Sequence, residues 1–260
     1  MNDYEAFKKE VYKLTKINLS LYKERQMKRR IDSLRDREGF RDDYVGFVAA
    51  MKKDKDLLYK FVNHLTINVS EFYRNPGQWK QFEDEILPYL RENFGDRLKV
   101  WSAACSTGDE PYTLAMIMAK HLPKGSFKVY ATDIDEAVLA TAGMGIYSQK
   151  SVAGLPKDLL DKNFTKLADG KSYQISDEIK KCVEFKKHNL LEDRYLTGIH
   201  MIVCRNVVIY FTDEAKDKVY TGFYQSMMKK GILFIGSTEQ IVNAKELGFD
   251  NFKSFFYQKP

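Results

Sequence analysis

The chain has 260 residues, of which 44% are hydrophobic and 30% are charged, and its formal net charge is +6 at pH 7. This balance is typical of a globular protein and excludes a disordered or collagen-like chain. No apolar run approaches the roughly 18 to 20 residues of a membrane-spanning helix, and the first residues form no signal peptide, so we expect a cytoplasmic protein. Its cysteines and histidines lack the spacing of a metal site, so we expect no metal ion.

The first seventy residues have the hydrophobic periodicity of short amphipathic helices. Met27, Ile31 and Leu34 recur at helical spacing, and a second apolar pattern of the same spacing follows at 44–51. No segment here alternates as a strand would. We therefore predict an all-helical N-terminal domain over residues 1–70.

Positive charge is concentrated on one of these predicted helices, between residues 23 and 37. This range holds seven Lys and Arg residues against three Asp and Glu residues. On a helix, Arg25, Lys28 and Arg29 lie close together and away from the apolar positions. Two interpretations remain open from the pattern alone: a solvated helix face, or a docking surface for an acidic partner.

From Leu98 onward the pattern changes to alternating strands and helices. Five β-rich runs, LKVWSAA, FKVYATD, CVEFKKH, IHMIVC and ILFIGS, are separated by helix-like segments. This alternation predicts an α/β domain with a mostly parallel central sheet and helices on both faces. We predict one further edge strand in the terminal run NFKSFFYQK. The irregular segment 147–181 predicts a small β insertion.

Polar residues follow four of the predicted strands, and ligands bind at the carboxyl ends of the strands in open parallel sheets. In chain order these residues are Glu110, Asp133, Asn189 with Leu190, and Arg205 with Asn206. Asp133 can accept hydrogen bonds from both hydroxyls of a ribose. The loops contain neither GxGxxG nor a P-loop, so they offer no phosphate clamp. These strand-end residues together predict a nucleoside-binding site that contains acidic groups. S-adenosylmethionine, which carries a nucleoside and a positive charge, is a ligand suited to such a site.

Each of these residues also has a structural interpretation. An Asp at the end of a strand, such as Asp133, caps a helix at least as often as it binds ribose, and Asn189 can cap a turn. Arg205 can be an ion-pair partner, and Tyr210 a core aromatic with its hydroxyl at the surface. Their register on consecutive strands favours a common site.

Five segments resemble the CheR-type chemotaxis receptor methyltransferases. They are LTINVSEFYRNPGQW at 65–79, WSAACSTGDEPYTLAM at 101–116, ATDIDEAVLATAGMGIY at 131–147, HNLL at 188–191 and CRNVVIYF at 204–211. The resemblance implies a Rossmann-like, S-adenosylmethionine-dependent methyltransferase domain over 71–260, preceded by a receptor-recognition domain over 1–70. It also implies that the cofactor is held by Asn68, Ser70, Arg74, Glu110, Asp133, Asn189, Leu190, Arg205 and Asn206.

The resemblance further implies a substrate and a partner. The acceptors would be glutamate side chains on the cytoplasmic helices of chemoreceptors, and the product would be a methyl ester that sets sensory adaptation. The basic helix would then dock the receptor through Arg25, Lys28 and Arg29. Some members of the family grip a tethering peptide with a β insertion, but no peptide-binding signature is visible at 147–181. We expect a monomer that is recruited to receptor arrays and binds no nucleic acid.

The expected chemistry requires little acid–base catalysis. A glutamate is already ionised at neutral pH, so the enzyme contributes mainly geometry and the exclusion of water. Arg205 and Tyr210, which follow the fourth strand, are candidate catalytic residues together with Arg74. Arg205 would orient carboxylates, and Tyr210 would position the sulfonium or the acceptor.

Two other functions are compatible with the same cofactor site. One is methylation of RNA or of a small molecule, with the basic helix contacting phosphates. The modest charge excess and the lack of interleaved aromatic residues argue against RNA. The other is a non-catalytic sensor that binds S-adenosylmethionine or its demethylated product.

Overall fold

The computed structural model describes residues 3–66, 68 and 70–260, which group into two compact units. The helical unit comprises Met1–Asn68 together with Val207–Lys218. The sheet unit comprises Val69–Asn206 and Val219–Pro260. The sequence pattern does not predict that residues 207–218 group with the N-terminal helices.

Four helices account for most of the helical unit: α1 (Asp3–Thr15), α2 (Glu24–Arg37), α3 (Tyr44–Lys53) and α4 (Lys55–Thr66). Their buried faces meet in an aromatic cluster, in which the ring of Phe61 lies edge-on to Phe7 at 6.0 Å and to Phe47 at 5.8 Å. The predicted apolar stripe of α2 is buried as well. The predicted all-helical character of this part of the chain is confirmed.

A seven-stranded, mostly parallel sheet forms the centre of the sheet unit. Its strands are β1 (Lys99–Ala103), β2 (Lys128–Asp133), β6 (Val183–Lys187), β7 (Ile199–Cys204), β8 (Met227–Ile235), β9 (Asp250–Lys253) and β10 (Phe256–Gln258). Their order is β6-β2-β1-β7-β8-β10-β9, and the first five strands are parallel. The five predicted strands and the predicted α/β class are confirmed.

Helices flank this sheet. They are α5 (Pro76–Gln81), a π-helical turn (Phe82–Ile86), α6 (Leu87–Phe94), α7 (Asp109–His121), α8 (Glu136–Met144), α11 (Asp177–Cys182) and α12 (Asp213–Ser226). α7 begins directly after the loop that follows β1, and nine of its thirteen residues are buried. It is therefore a core helix, and its first turn is held firmly against the carboxyl end of the sheet. None of the helices in the described part of the chain combines the length and the low polarity that a bilayer crossing demands.

A separate three-stranded antiparallel sheet lies between α8 and α11. It consists of β3 (Ile146–Ser148), β4 (Phe164–Lys166) and β5 (Ser172–Ile175) in the order β3-β5-β4. Two short helices, α9 (Gln149–Val152) and α10 (Lys157–Asn163), connect β3 to β4. The small β insertion that the irregular sequence predicts is therefore present.

The prediction of a single terminal edge strand is wrong. The run folds as a hairpin in which β10 pairs with both β8 and β9, so that β9 forms the edge. The connection contains Phe255 at a φ of 67°. A left-handed aromatic residue is uncommon, and nothing in the sequence signals a turn at that position.

Two helical glycines provide a test of how tightly the sheet unit is packed. A Cβ on Gly222 of α12 would lie 2.5 Å from the half-buried ring of Tyr195, whereas a Cβ on Gly143 of α8 would meet nothing within 4 Å. We expect Gly222→Ala to lower the free energy of unfolding by about 1–3 kcal/mol through overpacking. Gly143→Ala should raise it by roughly 0.5–1 kcal/mol through helix propensity. Urea denaturation measures both, and a stabilised Gly222→Ala variant would contradict the packing described.

Candidate functional site

The order of the central strands brings the predicted residues to one edge of the sheet. The chain runs outward from β1 through β2 to β6 and then returns to β7 on the other side of β1. This reversal is the switch point at which open α/β sheets bind ligands. The carboxyl ends of four neighbouring strands therefore precede Asn189–Leu190, Asp133, Glu110 and Arg205–Asn206.

Backbone strain is concentrated along the same edge. Of the nine non-glycine residues with positive φ in the described chain, five lie on three segments at or near it: Tyr73, Asn75, Ala104, Ser106 and Asn206. Such conformations are costly and persist only where surrounding contacts fix them, which is common at functional sites. The observation supports a ligand site here independently of the side chains.

Asp133 is almost fully buried at the end of β2. One carboxylate oxygen accepts the backbone N–H of Ser106 at 2.9 Å, and the other accepts that of Asp135 at 3.0 Å. Burial raises the pKa of this carboxyl, and the backbone N–H groups oppose the rise. A carboxylate offers about four acceptor sites, so Asp133 can hold the β1 loop and still accept a hydrogen bond from a ligand.

Glu110 and Arg205 form a buried pair between α7 and the end of β7. Glu110 Oε1 accepts a hydrogen bond from Ser102 at 2.8 Å, and its Oε2 lies 3.6 Å from Arg205 Nη1. Burial raises the pKa of Glu110, and the charge of Arg205 opposes that rise. The two sides of the switch point are thereby joined by an ion pair.

Much of the guanidinium of Arg205 contacts other protein groups, whereas its buried Nε has no hydrogen-bond partner among the described residues. Its Nη2 donates to the Arg74 carbonyl at 3.0 Å, to Asn75 Oδ1 at 3.0 Å and to Gln78 Oε1 at 2.7 Å. Its planar group lies 5.2 Å from the ring of Trp79. These contacts indicate that Arg205 fixes the turn before α5. Its predicted role of orienting a reacting carboxylate stays a prediction.

Arg74 is the cation at this edge that the fold leaves available. Its side chain is half-buried, and within the described part of the chain its guanidinium makes no hydrogen bond or ion pair. The neighbouring Tyr73 N–H donates to Thr113 Oγ1 at 3.2 Å, which ties the turn to α7. Arg74 therefore stays a candidate contact for a carboxylate.

The segment after β6 forms a compact turn beside Asp133. The N–H of His188 donates to the Asp133 carbonyl at 2.9 Å. The side-chain oxygen of Asn189 accepts the N–H of Leu191 at 3.0 Å, and the Leu190 carbonyl accepts the Tyr195 hydroxyl at 2.7 Å. Asn189 thus caps the turn, as its structural interpretation predicts, and the turn presents the 189–190 segment at the edge near Asp133.

The remaining predicted residues divide between the two units. The Ser70 side chain hydrogen-bonds the carboxylate of Asp109, whose pKa is raised by burial. The Asn68 amide donates to Thr66 Oγ1 at 2.8 Å within the helical unit. Tyr210 also belongs to the helical unit, where its carbonyl accepts the Lys23 N–H at 2.9 Å. The roles of Asn68 and Tyr210 at the cofactor site stay predictions.

Sequence reasoning missed three residues that build this edge: Gln78, Ser106 and Glu239. Gln78 could not be found because its only signal is its contact with Arg205. Ser106 lies in the small-residue loop after β1, and Glu239 follows the fifth predicted strand. The position of Glu239 shortly after a predicted parallel strand is the signal that identifies it.

Two family models match the chain. The model described as "CheR methyltransferase, SAM binding domain" matches residues 68–255, and the one described as "CheR methyltransferase, all-alpha domain" matches residues 2–66. The chain belongs to the CheR methyltransferase family. The resemblance inferred from the sequence motifs is thereby confirmed, as are the methyltransferase class and S-adenosylmethionine as the cofactor.

Relatives of this CheR-family chain match it over most of their length. The "Chemotaxis protein methyltransferase" of Listeria monocytogenes serovar 1/2a is 40% identical over 257 residues, which cover 99% of this chain and 97% of the relative. The protein of the same name from Borreliella burgdorferi is 32% identical over 251 residues, which cover 92% and 88% of the two chains.

The described residues fit S-adenosylmethionine. Asp133 has spare acceptor capacity for ribose hydroxyls, and Glu110 and Asp133 supply acidic groups suited to a cationic ligand. Ala104 and Ser106 in the β1 loop both adopt left-handed backbone conformations. We therefore expect Asp133, Glu110, Arg74 and the 189–190 turn to hold the cofactor.

A neighbouring residue allows a matched test of Asp133. Asp135 is equally buried, and its carboxylate caps α8 by accepting the Ala137 N–H at 3.0 Å. Asp133→Ala and Asp135→Ala should each cost about 1–2 kcal/mol of stability through lost backbone hydrogen bonds. Only Asp133→Ala should also weaken the binding of S-adenosylhomocysteine, by roughly tenfold or more, because it removes a ligand contact. Calorimetry decides the point: equal affinities in the two variants would return Asp133 to a structural role.

Proposed function

We propose that this protein methylates glutamate side chains on the cytoplasmic helices of chemoreceptors and thereby sets sensory adaptation in chemotaxis. Two observations support this proposal. Both family models match along one chain, and relatives that match over nearly their full length are named chemotaxis protein methyltransferases. In this proposal the protein is a cytoplasmic monomer that is recruited to receptor arrays.

The chemistry that we propose is the transfer of a methyl group to an ionised carboxylate. When bound, S-adenosylmethionine supplies an electrophilic methyl group on a sulfonium. The acceptor needs no general base at neutral pH, because the pKa of a glutamate is about 4.3. The protein must orient the acceptor and remove water, and holding two reactants in line can lower a barrier by about 7–11 kcal/mol.

Arg74 is our first candidate for orienting the acceptor or the cofactor carboxylate. Its guanidinium is unengaged among the described residues and half-exposed. Arg205 then acts as a positioning residue, since its hydrogen bonds hold the turn on which Arg74 lies. Tyr210 remains a proposed catalytic residue on the strength of the family motif CRNVVIYF.

The proposed receptor-docking surface lies on α2. Arg25 and Arg29 are exposed there. Lys28 differs, because its ammonium pairs with Asp32 at 2.9 Å and lies 5.6 Å from the ring of Tyr44. Of the three predicted docking residues, Arg25 and Arg29 are therefore the ones that α2 presents outward, and we expect Lys28 to contribute mainly to folding.

The same helix borders a concavity. A cavity of about 240 Å³ is lined by Arg29 and Arg30 of α2 together with Tyr210 and Lys23. Positive side chains around a concave surface are suited to acidic groups on a partner helix. This shape supports docking over a merely solvated face.

The proposed function is tested with purified protein, methyl-labelled S-adenosylmethionine and membranes that contain chemoreceptors. After alkali treatment we expect volatile labelled methanol, because esters hydrolyse in mild alkali whereas N-methyl groups do not. The Asp133→Ala variant should yield little label, and Asp135→Ala should retain most of it. Label that resists alkali would point to an RNA or small-molecule acceptor. Cofactor binding without transfer to any acceptor would point to a sensor.

The docking surface is tested by charge reversal. We expect the double variant Arg25→Glu, Arg29→Glu to bind receptor membranes about tenfold or more weakly at low ionic strength, since attraction to an acidic partner becomes repulsion. The matched control is Lys9→Glu, Lys53→Glu, which changes net charge equally at exposed positions on α1 and α3. Binding is measured by co-sedimentation, and rising salt should reduce the difference in affinity between the wild type and the α2 variant. Equal binding by the two double variants would leave α2 a solvated face.

A further inference from the structure

The loop after β8 contains a buried carboxylate that the predicted site does not use. Glu239 is only 6% exposed. Its Oε2 accepts the backbone N–H of Asn206 at 2.9 Å and that of Gly236 at 2.7 Å. Hydrogen bonds to an ionised acceptor are stronger than neutral ones. A single carboxylate oxygen therefore joins the segments that follow β7 and β8.

These bonds act on a strained position. Asn206 has a φ of 62°, and its side-chain amide lies 3.4 Å from Thr238 Oγ1 in the same loop as Glu239. Asparagine adopts this conformation more readily than other non-glycine residues do, and contacts with its surroundings stabilise it there. The backbone N–H bond to Glu239 is the described contact that fixes it most directly.

The packing around the carboxylate leaves little freedom. A Cβ on Gly236 would lie 2.7 Å from Glu239 Oε2 and 2.9 Å from the Asn206 nitrogen. The two loops therefore approach each other through backbone atoms at a position that only glycine allows. Glu239 also interacts electrostatically with the Glu110–Arg205 pair. Burial raises the pKa of Glu110, and the charge of Glu239 adds to that rise. Burial lowers the pKa of Arg205, and the charge of Glu239 opposes that fall.

We propose that Glu239 is a positioning residue of the cofactor site, which acts by holding Asn206 in its left-handed conformation. The proposal rests on the predicted contact between Asn206 and the cofactor. It does not depend on the identity of the methyl acceptor, so it can fail while the proposed function stands.

The test compares Glu239→Ala and Glu239→Gln with a matched control. Asp169 in the β insertion also accepts two backbone N–H bonds on one oxygen, from Lys171 and Ser172, both at 2.8 Å. Each purified full-length variant is examined by hydrogen exchange at the Asn206 amide and by calorimetric titration with S-adenosylhomocysteine.

We expect Glu239→Ala to speed exchange at Asn206 and to weaken S-adenosylhomocysteine binding, each by about tenfold or more, as loss of a charge-assisted hydrogen bond implies. Glu239→Gln should show smaller changes in both quantities, because the amide oxygen can still accept the N–H. Asp169→Ala should bind as the wild type does. The proposal would be overturned if both Glu239 variants bound S-adenosylhomocysteine with an affinity within about twofold of the wild type. If the alanine variant does not fold, the affinity of Glu239→Gln decides the test.

A double-mutant cycle identifies the route of the effect. Glycine adopts positive φ without strain, so Asn206→Gly reduces the need for the restraint. In that background we expect the affinity loss from Glu239→Ala to fall from about tenfold to below about threefold, because coupled residues are not additive. An undiminished loss would show that Glu239 does not act through Asn206.

Discussion

The candidate site depends on the burial of one guanidinium. Removing the charge of Arg205 from water is costly, and the cost is offset only because acceptors surround it. Breaking such a buried pair costs about 3–5 kcal/mol, because the remaining charge is left without a partner. The groups that offset the burial come from the segment 74–79, from α7 and from β8. They are the Arg74 carbonyl, the side chains of Asn75 and Gln78, the Glu110 carboxylate, and the rings of Trp79 and Phe234. The turn before α5, the first turn of α7 and the end of β7 therefore cannot move independently.

The same constraint explains where the backbone is strained. Asn75 and Asn206 both have left-handed backbone conformations. The Arg205 guanidinium donates a hydrogen bond to the side chain of Asn75, and Asn206 directly follows Arg205 in the chain. Protein groups fix these conformations before a ligand arrives, through Arg205 on one side and Glu239 on the other. The site is thus preorganised, so binding energy need not be spent on ordering these loops.

The sequence was sufficient to predict most of the architecture. Periodicity identified the helical N-terminal region, and alternation identified the parallel sheet, because both depend on local burial patterns. Strand-end reasoning found Glu110, Asp133 and Arg205, since parallel strands must bring their carboxyl ends to one edge. These predictions required only the chain order of the elements.

The remaining features depend on contacts between distant residues. Arg205 was expected to face a reacting group, but its hydrogen-bond partners lie about 130 residues earlier in the chain. The grouping of residues 207–218 with the helical unit and the terminal hairpin likewise have no local signal. Local sequence patterns identify which residues lie at the carboxyl edge of the sheet. They do not identify which protein groups form hydrogen bonds or ion pairs with those residues.

The electrostatic balance of this edge favours a cationic ligand. Burial raises the pKa of Asp109, Glu110 and Asp133 above their ordinary values, although backbone, hydroxyl or Arg205 contacts oppose each rise. A folded-state pKa above the unfolded value means that the fold binds extra protons, so stability falls as pH increases between the two values. Above both values this burial therefore reduces stability, and at Glu110 the charge of Arg205 opposes the effect. A bound sulfonium would add positive charge where the fold lacks it, so the energy that destabilises the free protein becomes affinity for the methyl donor.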